Sequence, residues 1–315
     1  MSVASALEIV LALSVMSVAL WTVVARENFP AVASFIVYGM LIALVWVRLN
    51  AVDVALTEAA IGGGLGGVLM LGAAARLRST EMPARAEYPG NIQRAAAALL
   101  STMVAAVLAS AILQLPEPAP SLAQAAADNA AATSLGNPVT NVLMAFRAMD
   151  TMLEKVVLLL SLVGVWSLAP DAVWGGRPGL RHEADPRGIL AFLARLLPPV
   201  GIVVGIYLLF VAADEPGGAF QAGTILAAMW LLVAMAGLAD APPVDRRALR
   251  LALIAGPTVF VAVGLGGLAW GEAFLAYPVD YAKPLIVAIE VAMTLTIAVT
   301  LGLLMAGAPE RSARR

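Results

Sequence analysis

Nine apolar runs dominate the sequence, each near the roughly 20 residues that cross a bilayer as a helix. They fall at about 4–24, 30–49, 53–76, 94–115, 151–169, 195–213, 219–239, 248–271 and 284–306. Proline, glycine or charge marks most of the gaps, as at Pro116-Glu117-Pro118, Pro242-Pro243, Pro278 and Pro284. The double proline at 198–199 reads as either the first turn of its helix or a kink. Charged residues make up 13% of the chain and mean hydropathy is +0.91, whereas soluble domains carry about 25% charge. Aromatics are only 6%, and small and aliphatic residues prevail, which suits helix-on-helix packing and not a barrel with aromatic girdles. The expected fold is therefore an all-α polytopic membrane protein of about nine transmembrane helices. The first run is too long for a signal peptide core and lacks a basic leader, so it is expected to remain a membrane helix.

Basic residues orient these spans. With the N-terminus outside, 15 of the 19 Lys and Arg fall in inward loops and the C-terminal tail, leaving only Arg48, Arg147, Lys155 and Lys283 outside. The positive-inside rule then gives N-out and C-in, and an even number of spans would spoil the bias.

Several function classes drop out. A net charge of −2 offers nucleic acid no electrostatic footing. With no cysteine, disulfides, iron–sulfur ligation and thiolate chemistry are excluded. The one histidine, His182, lies in a charged loop and reads as solvated. No P-loop, G-x-S-x-G, H-E-x-x-H or dinucleotide fingerprint is present. No catalytic, cofactor or metal site is expected.

The candidate functional residues are ionisable groups inside or at the edge of the spans, where a charge costs about 2.5–3.5 kcal/mol on insertion scales and must face protein or water. Foremost is Glu58, one turn into the run that continues through Gly62, Gly63, Gly64, Gly66 and Gly67. Glu58, Gly62 and Gly66 share one helical face, and the small-xxx-small pairs invite close approach by a helix of a neighbouring protein. Asp53 is read either as an ion-pair partner of Arg48 across a short turn or as a cap of the third helix. Arg147, Asp150 and Glu154, with Lys155 following, line one side of a helix and form either a helix start or a charge relay. Glu290, in the last run, shares a face with Lys283 and is the second buried acid; its depth resembles that of Glu58, which suggests one lateral polar layer. Pro216, Gly217 and Gly218 form a tight outer turn.

These motifs resemble known modules. Ala51–Glu58 with the glycines after it resembles the small MbhD protein of membrane-bound hydrogenases and the C-terminal part of the Mrp-type Na+/H+ antiporter protein MrpA. Asn137–Leu160 resembles the next hydrogenase protein, MbhE: Phe146-Arg147, Asp150-Thr151 and Glu154 match, while Ala145, Ala148 and Leu153 depart from the family form. Residues 195–306 resemble MrpB, with Glu215–Gly223 matching its P-G-G-G-F-Q-G-G turn with two Gly-to-Ala changes. The implied organisation is an MbhD-like module at 1–115, an MbhE-like segment at 116–170, an inward linker at 171–194 and an MrpB-like domain at 195–315. The connection at 116–150, Ala-rich and then amphipathic over Val139–Asp150, is expected to be a partly helical segment on the membrane surface or against a partner.

The resemblance implies a membrane subunit of a multi-subunit cation/proton antiporter, lodged in the cell inner membrane among large antiporter-like subunits. H+, with Na+ as the second candidate, would be cargo, with Glu58, Asp53, Asp150, Glu154, Lys155, Glu290 and Lys283 along a lateral path. Two other roles stay open: the ion-translocating, non-redox subunit of a complex I-related redox complex such as a membrane-bound hydrogenase, and a structural scaffold.

Overall fold

Glycines decide how closely the first helices approach. α1 (Val3–Val24) and α2 (Asn28–Arg48) form a hairpin whose open end is tied by an exposed ion pair, Arg48 to Glu8 at 2.7 Å. α3 runs unbroken through Val52–Thr57, a π segment at Glu58–Leu65, and Gly66–Ala86. Ideal Cβ atoms on Gly64 and Gly66 would lie 3.0 and 2.8 Å from the carbonyls of Ala59 and Ile61 in the turn below. Glycine thus permits the wide turn, a local geometry that helix periodicity does not reveal. A Cβ on Gly39 of α2 would lie 2.8 Å from the Gly63 nitrogen, so the two backbones cross in contact. The small-residue face expected to receive a neighbouring protein is in part filled from within: Ile36 and Met40 of α2 cover Gly67 and Gly63, and the Glu58 side chain folds over Gly62.

The computed structural model describes residues 3–86, 90–118, 120–179, 185–271 and 273–311. His182 and the tail arginines Arg314 and Arg315 lie outside the described residues. α4 (Asn91–Leu113) is exposed along its whole length. The chain continues through α5 (Ala123–Asn129), α6 (Pro138–Asn141), a π turn at Val142–Phe146 and α7 (Ala148–Trp166). α8 (Ile189–Val211), α9 (Ala219–Met235), α10 (Arg247–Trp270) and α11 (Ala282–Ala306) complete the helices. Pro198 and Pro199 fall inside α8, which begins earlier than the double proline suggests.

Seven of the described helices are long and apolar enough to cross a membrane. The other two apolar runs are α9, whose 17 residues reach about 26 Å, and α7, which carries Asp150, Glu154 and Lys155 near its start. Both pack among the spanning helices, α9 against α8 and α11, α7 against α10 and α11. The protein is a multi-pass helical membrane protein.

Its main core lies between α7 and α9–α11, where Phe260, Ile286, Ile289, Met293 and Ile297 are buried against Met144 and Ala148. A second cluster joins Leu162 and Trp166 of α7 to Leu249, Leu253 and Leu303. α7 therefore packs with the helices that follow it in sequence. Two expectations change accordingly. The stretch before α7 is a surface segment only in part: α5 is exposed, whereas Thr133, Leu135, Asn137, Thr140 and Asn141 are buried. Part of the linker is folded: β1 (Arg177–Pro178) pairs antiparallel with β2 (Pro309–Arg311), and the Val244 N–H donates to the Gly176 carbonyl at 3.0 Å. The turns at 48–53, 212–218 and 277–283 gather at one end of the molecule, and 170–179, 236–246 and 307–311 at the other.

Gly39→Val drives methyl groups into the Gly62–Gly63 backbone, and overpacking of this kind costs about 1–3 kcal/mol. Thermal unfolding of the membrane-extracted protein should drop for this variant. Gly72→Val, where a Cβ meets nothing within 4 Å, should leave it unchanged.

Candidate functional site

The start of α9 is where the halves of the chain meet. Pro216 ends the preceding turn, and Gly218 adopts φ +148°, in the region favouring glycine. The turn folds back on α8, with the Gly218 N–H donating to the Leu208 carbonyl at 3.0 Å. The free N–H groups at this helix end find carboxylates on two sides. Asp53 Oδ1 accepts from the Gly217 N–H at 3.0 Å, and the Glu290 carboxylate lies close to the Ala219 N–H. Both carboxylates lie where a helix N-terminus favours negative charge.

Around this turn the polar groups are knitted across the chain. Gln221 Nε2 donates to Thr57 Oγ1 at 3.0 Å and to the Asp53 carbonyl at 3.3 Å. Asn137 Nδ2 donates to the Glu215 carbonyl at 2.9 Å and lies 3.5 Å from Asp53 Oδ1. The Gly136 and Asn137 N–H groups both donate to the Ala213 carbonyl, and Thr140 Oγ1 donates to that of Ala212 at 2.7 Å. Asn137 also caps α6 through the Val139 N–H, with Pro138 at the first helical position.

A cavity of about 340 Å³ opens beside this knot. Asp53, Thr57, Glu154, Lys155, Phe220, Gln221 and Glu290 line it together with apolar side chains such as Ile61, Leu143, Met144 and Met293. Lys155 is only 4% exposed; its Nζ is 2.9 Å from Glu154 Oε1 and 4.4 Å from the centre of the Phe220 ring. Contact with a ring face compensates part of an ammonium's desolvation. Glu290 is 4% exposed, and its Oε2 has no hydrogen-bond partner among the described residues.

The structure thus brings together Asp53, Glu154, Lys155 and Glu290, with Gly217 and Gly218, and leaves other expected residues elsewhere. Asp53 neither pairs with Arg48, which is held by Glu8, nor caps its own helix; it holds a turn far along the chain. Arg147 lies in the break between the π turn and α7 and pairs with Asp150 at 2.6 Å, both exposed, so the expected three-residue network divides into two pairs. Lys283 shares α11 with Glu290 but binds Asp214 at 2.7 and 2.8 Å. That hydrogen bond holds the Asp214 carboxyl below its ordinary range, against a smaller opposing effect of desolvation. Glu58 does not line the cavity and, among the described residues, its side chain makes no hydrogen bond or ion pair. Asn137, Thr57, Thr140 and Gln221 do not stand out in the sequence; the Asn-Pro pair and the Gln following the glycine turn are their only local signals.

Two family models cover much of the chain. Residues 12–79 match MbhD, a component of MBH, and residues 189–308 match the domain related to the MnhB subunit of Na+/H+ antiporter. The chain joins an MbhD-type module to an MnhB-related domain. The clasp of Asp53 on Gly217 therefore crosses from one module to the other.

Solved structures support the fold. A chain in the Mrp complex from Dietzia sp. DQ12-45-1b superposes with a TM-score of 0.72 over 97% of this chain at 24% identity. This chain spans 35% of that one, about a third of its length. A chain of the membrane-bound sulfane sulfur reductase (MBS), an archaeal respiratory membrane complex, gives a TM-score of 0.55 at 20% identity, over 68% of this chain and 98% of its own. No curated protein matches the sequence.

Asp53→Ala leaves the Gly217 N–H without its acceptor and should cost about 1.5–3 kcal/mol, as for hydrogen bonds to charged groups. Asp53→Asn keeps an oxygen there and should recover most of that loss. Thermal unfolding of the extracted protein separates the two, and an Asp53→Ala variant as stable as wild type would show that the clasp contributes nothing.

Proposed function

We propose that this protein is a membrane subunit of a multi-subunit Mrp-type Na+/H+ antiporter complex and provides a lateral path for the transported ion. The observation that carries the proposal is Glu290, a buried carboxylate beside a helix N-terminus whose Oε2 has no partner among the described residues, facing a cavity that also holds Lys155 and Glu154. Buried polar groups are ordinarily satisfied, and an unsatisfied acid inside a membrane domain is suited to taking up and releasing a cation. Because the Lys155 ammonium occupies the same cavity, a metal cation there would meet repulsion at close range, whereas a proton moving between carboxyl and amine would not. The cargo in this cavity is thus the proton, and any Na+ passes elsewhere in the assembly.

In this reading Glu290, Lys155 and Glu154 form the relay, and Asp53 fixes the turn that presents α9 to Glu290. Glu58, free of partners among the described residues, is the carboxylate left open to a neighbouring protein. Asp150 and Lys283, each in an exposed ion pair, hold the ends of their helices. The partners are other membrane proteins of the assembly, large antiporter-like ones among them, and the bilayer. The similarity to MbhD and to a chain of the MBS complex favours one second reading, in which the same path serves a redox-driven complex related to complex I.

Exchange in vesicles carrying the complete set of neighbouring subunits tests this. Glu290→Gln should reduce exchange driven by an imposed Na+ or pH gradient by at least about tenfold with the complex still assembled, as expected when a proton-transfer group is removed. Full exchange with Glu290→Gln would remove Glu290 from the path. Proton movement that requires an electron donor would select the redox-driven reading.

A further inference from the structure

At the end of the molecule away from the cavity, a second pocket of about 370 Å³ opens between α9, α10 and α11. Arg177 of β1, Arg246 just before α10, and Asp240 line its polar side. Asp240 is shared by Arg177 and Arg311, each at 3.3 Å, and Arg246 lines the same pocket. Arg246 makes no side-chain hydrogen bond or ion pair among the described residues. The opposite wall is apolar, formed by Trp230, Leu249 and Val299 of the membrane helices. We infer that this pocket binds the headgroup of an anionic phospholipid, with its phosphate between Arg177 and Arg246 and the upper part of its acyl chains along Trp230, Leu249 and Val299.

Charge and position favour this occupant. The cluster has a surplus of positive charge with one guanidinium unpaired among the described residues, and an arginine presents planar donors that match a phosphate. The apolar wall is continuous with helices that cross the bilayer, which suits a lipid and gives a free anion no contact. Tryptophan is favoured at the membrane interface. The basic loops assign this end to the inward side, and basic pockets between transmembrane helices on that side bind anionic headgroups. The site lies in the MnhB-related domain and β1, and it involves neither the cavity nor Glu290.

The test uses the full chain expressed with its neighbouring subunits, extracted in detergent and supplied with mixed micelles of phosphatidylglycerol or phosphatidylcholine, with bound lipid counted by native mass spectrometry. Wild type should retain phosphatidylglycerol in preference to phosphatidylcholine. Arg246→Gln should weaken retention on the order of fivefold, and Arg177→Gln with Arg246→Gln more than about tenfold, in line with the usual contribution of a basic residue near anionic lipid. Arg187→Gln, a loop arginine elsewhere on the inward side, should change nothing. Should the double variant fail to assemble, Arg246→Gln alone decides, because its side chain holds no other described residue in place. Equal retention of both lipids, unaltered retention by Arg246→Gln, or displacement of the lipid by inorganic phosphate at equal concentration would each overturn the assignment, the last by showing a free-anion site.

Discussion

The backbone N–H groups at the start of α9 hold the molecule together. A helix end packed within a membrane protein needs protein groups to satisfy it, and here two carboxylates from distant parts of the chain stand beside it. Asp53 comes from the MbhD-type module and Glu290 from the last helix of the MnhB-related domain. The constraint explains why the turn is Pro-Gly-Gly. A Cβ on Gly217 would strike the Leu208 carbonyl, and one on Gly218 would require a strained backbone and meet the Gln221 side chain at 2.6 Å. Removing the glycines would move the helix end off both carboxylates at once.

Placing charge beside that helix end has a second consequence. Lys155 and Glu290 are each almost wholly buried, yet neither is paired with the other in the structure; Lys155 leans on Glu154 and Phe220, and Glu290 only lies near the Ala219 N–H. Burying ions with incomplete partners is expensive and adds nothing to folding that an apolar core would not supply better. The proposed relay gives both residues a role that packing alone does not. The apolar core around Phe260, Ile286 and Ile297 carries the packing that tolerates them.

Much of the fold was legible because membrane-spanning helices are local: each apolar run of bilayer length became a helix. Glu290 and Lys155 were legible as ionisable groups in apolar surroundings, which is a local signal too. The role of Asp53 was not, since its partner Gly217 is 164 residues away and the adjacent Arg48 offered a plausible false partner. The burial of Asn137 and Thr140 was hidden by an alanine-rich lead-in that looks like a surface segment, although Thr140 is bound by the Ala212 carbonyl across the seam. The π segment at Glu58–Leu65 escaped because glycines relax backbone geometry without announcing which geometry results.

Docking of the two modules through the start of α9 within one chain is tested most directly by cross-linking. The chain has no cysteine, so Thr57→Cys with Gln221→Cys introduces one pair at side chains that now share a 3.0 Å hydrogen bond. In assembled membranes, a short thiol-specific cross-linker should join that pair within a single chain. If each cysteine reacts singly but no intrachain link forms, the modules do not meet at this turn.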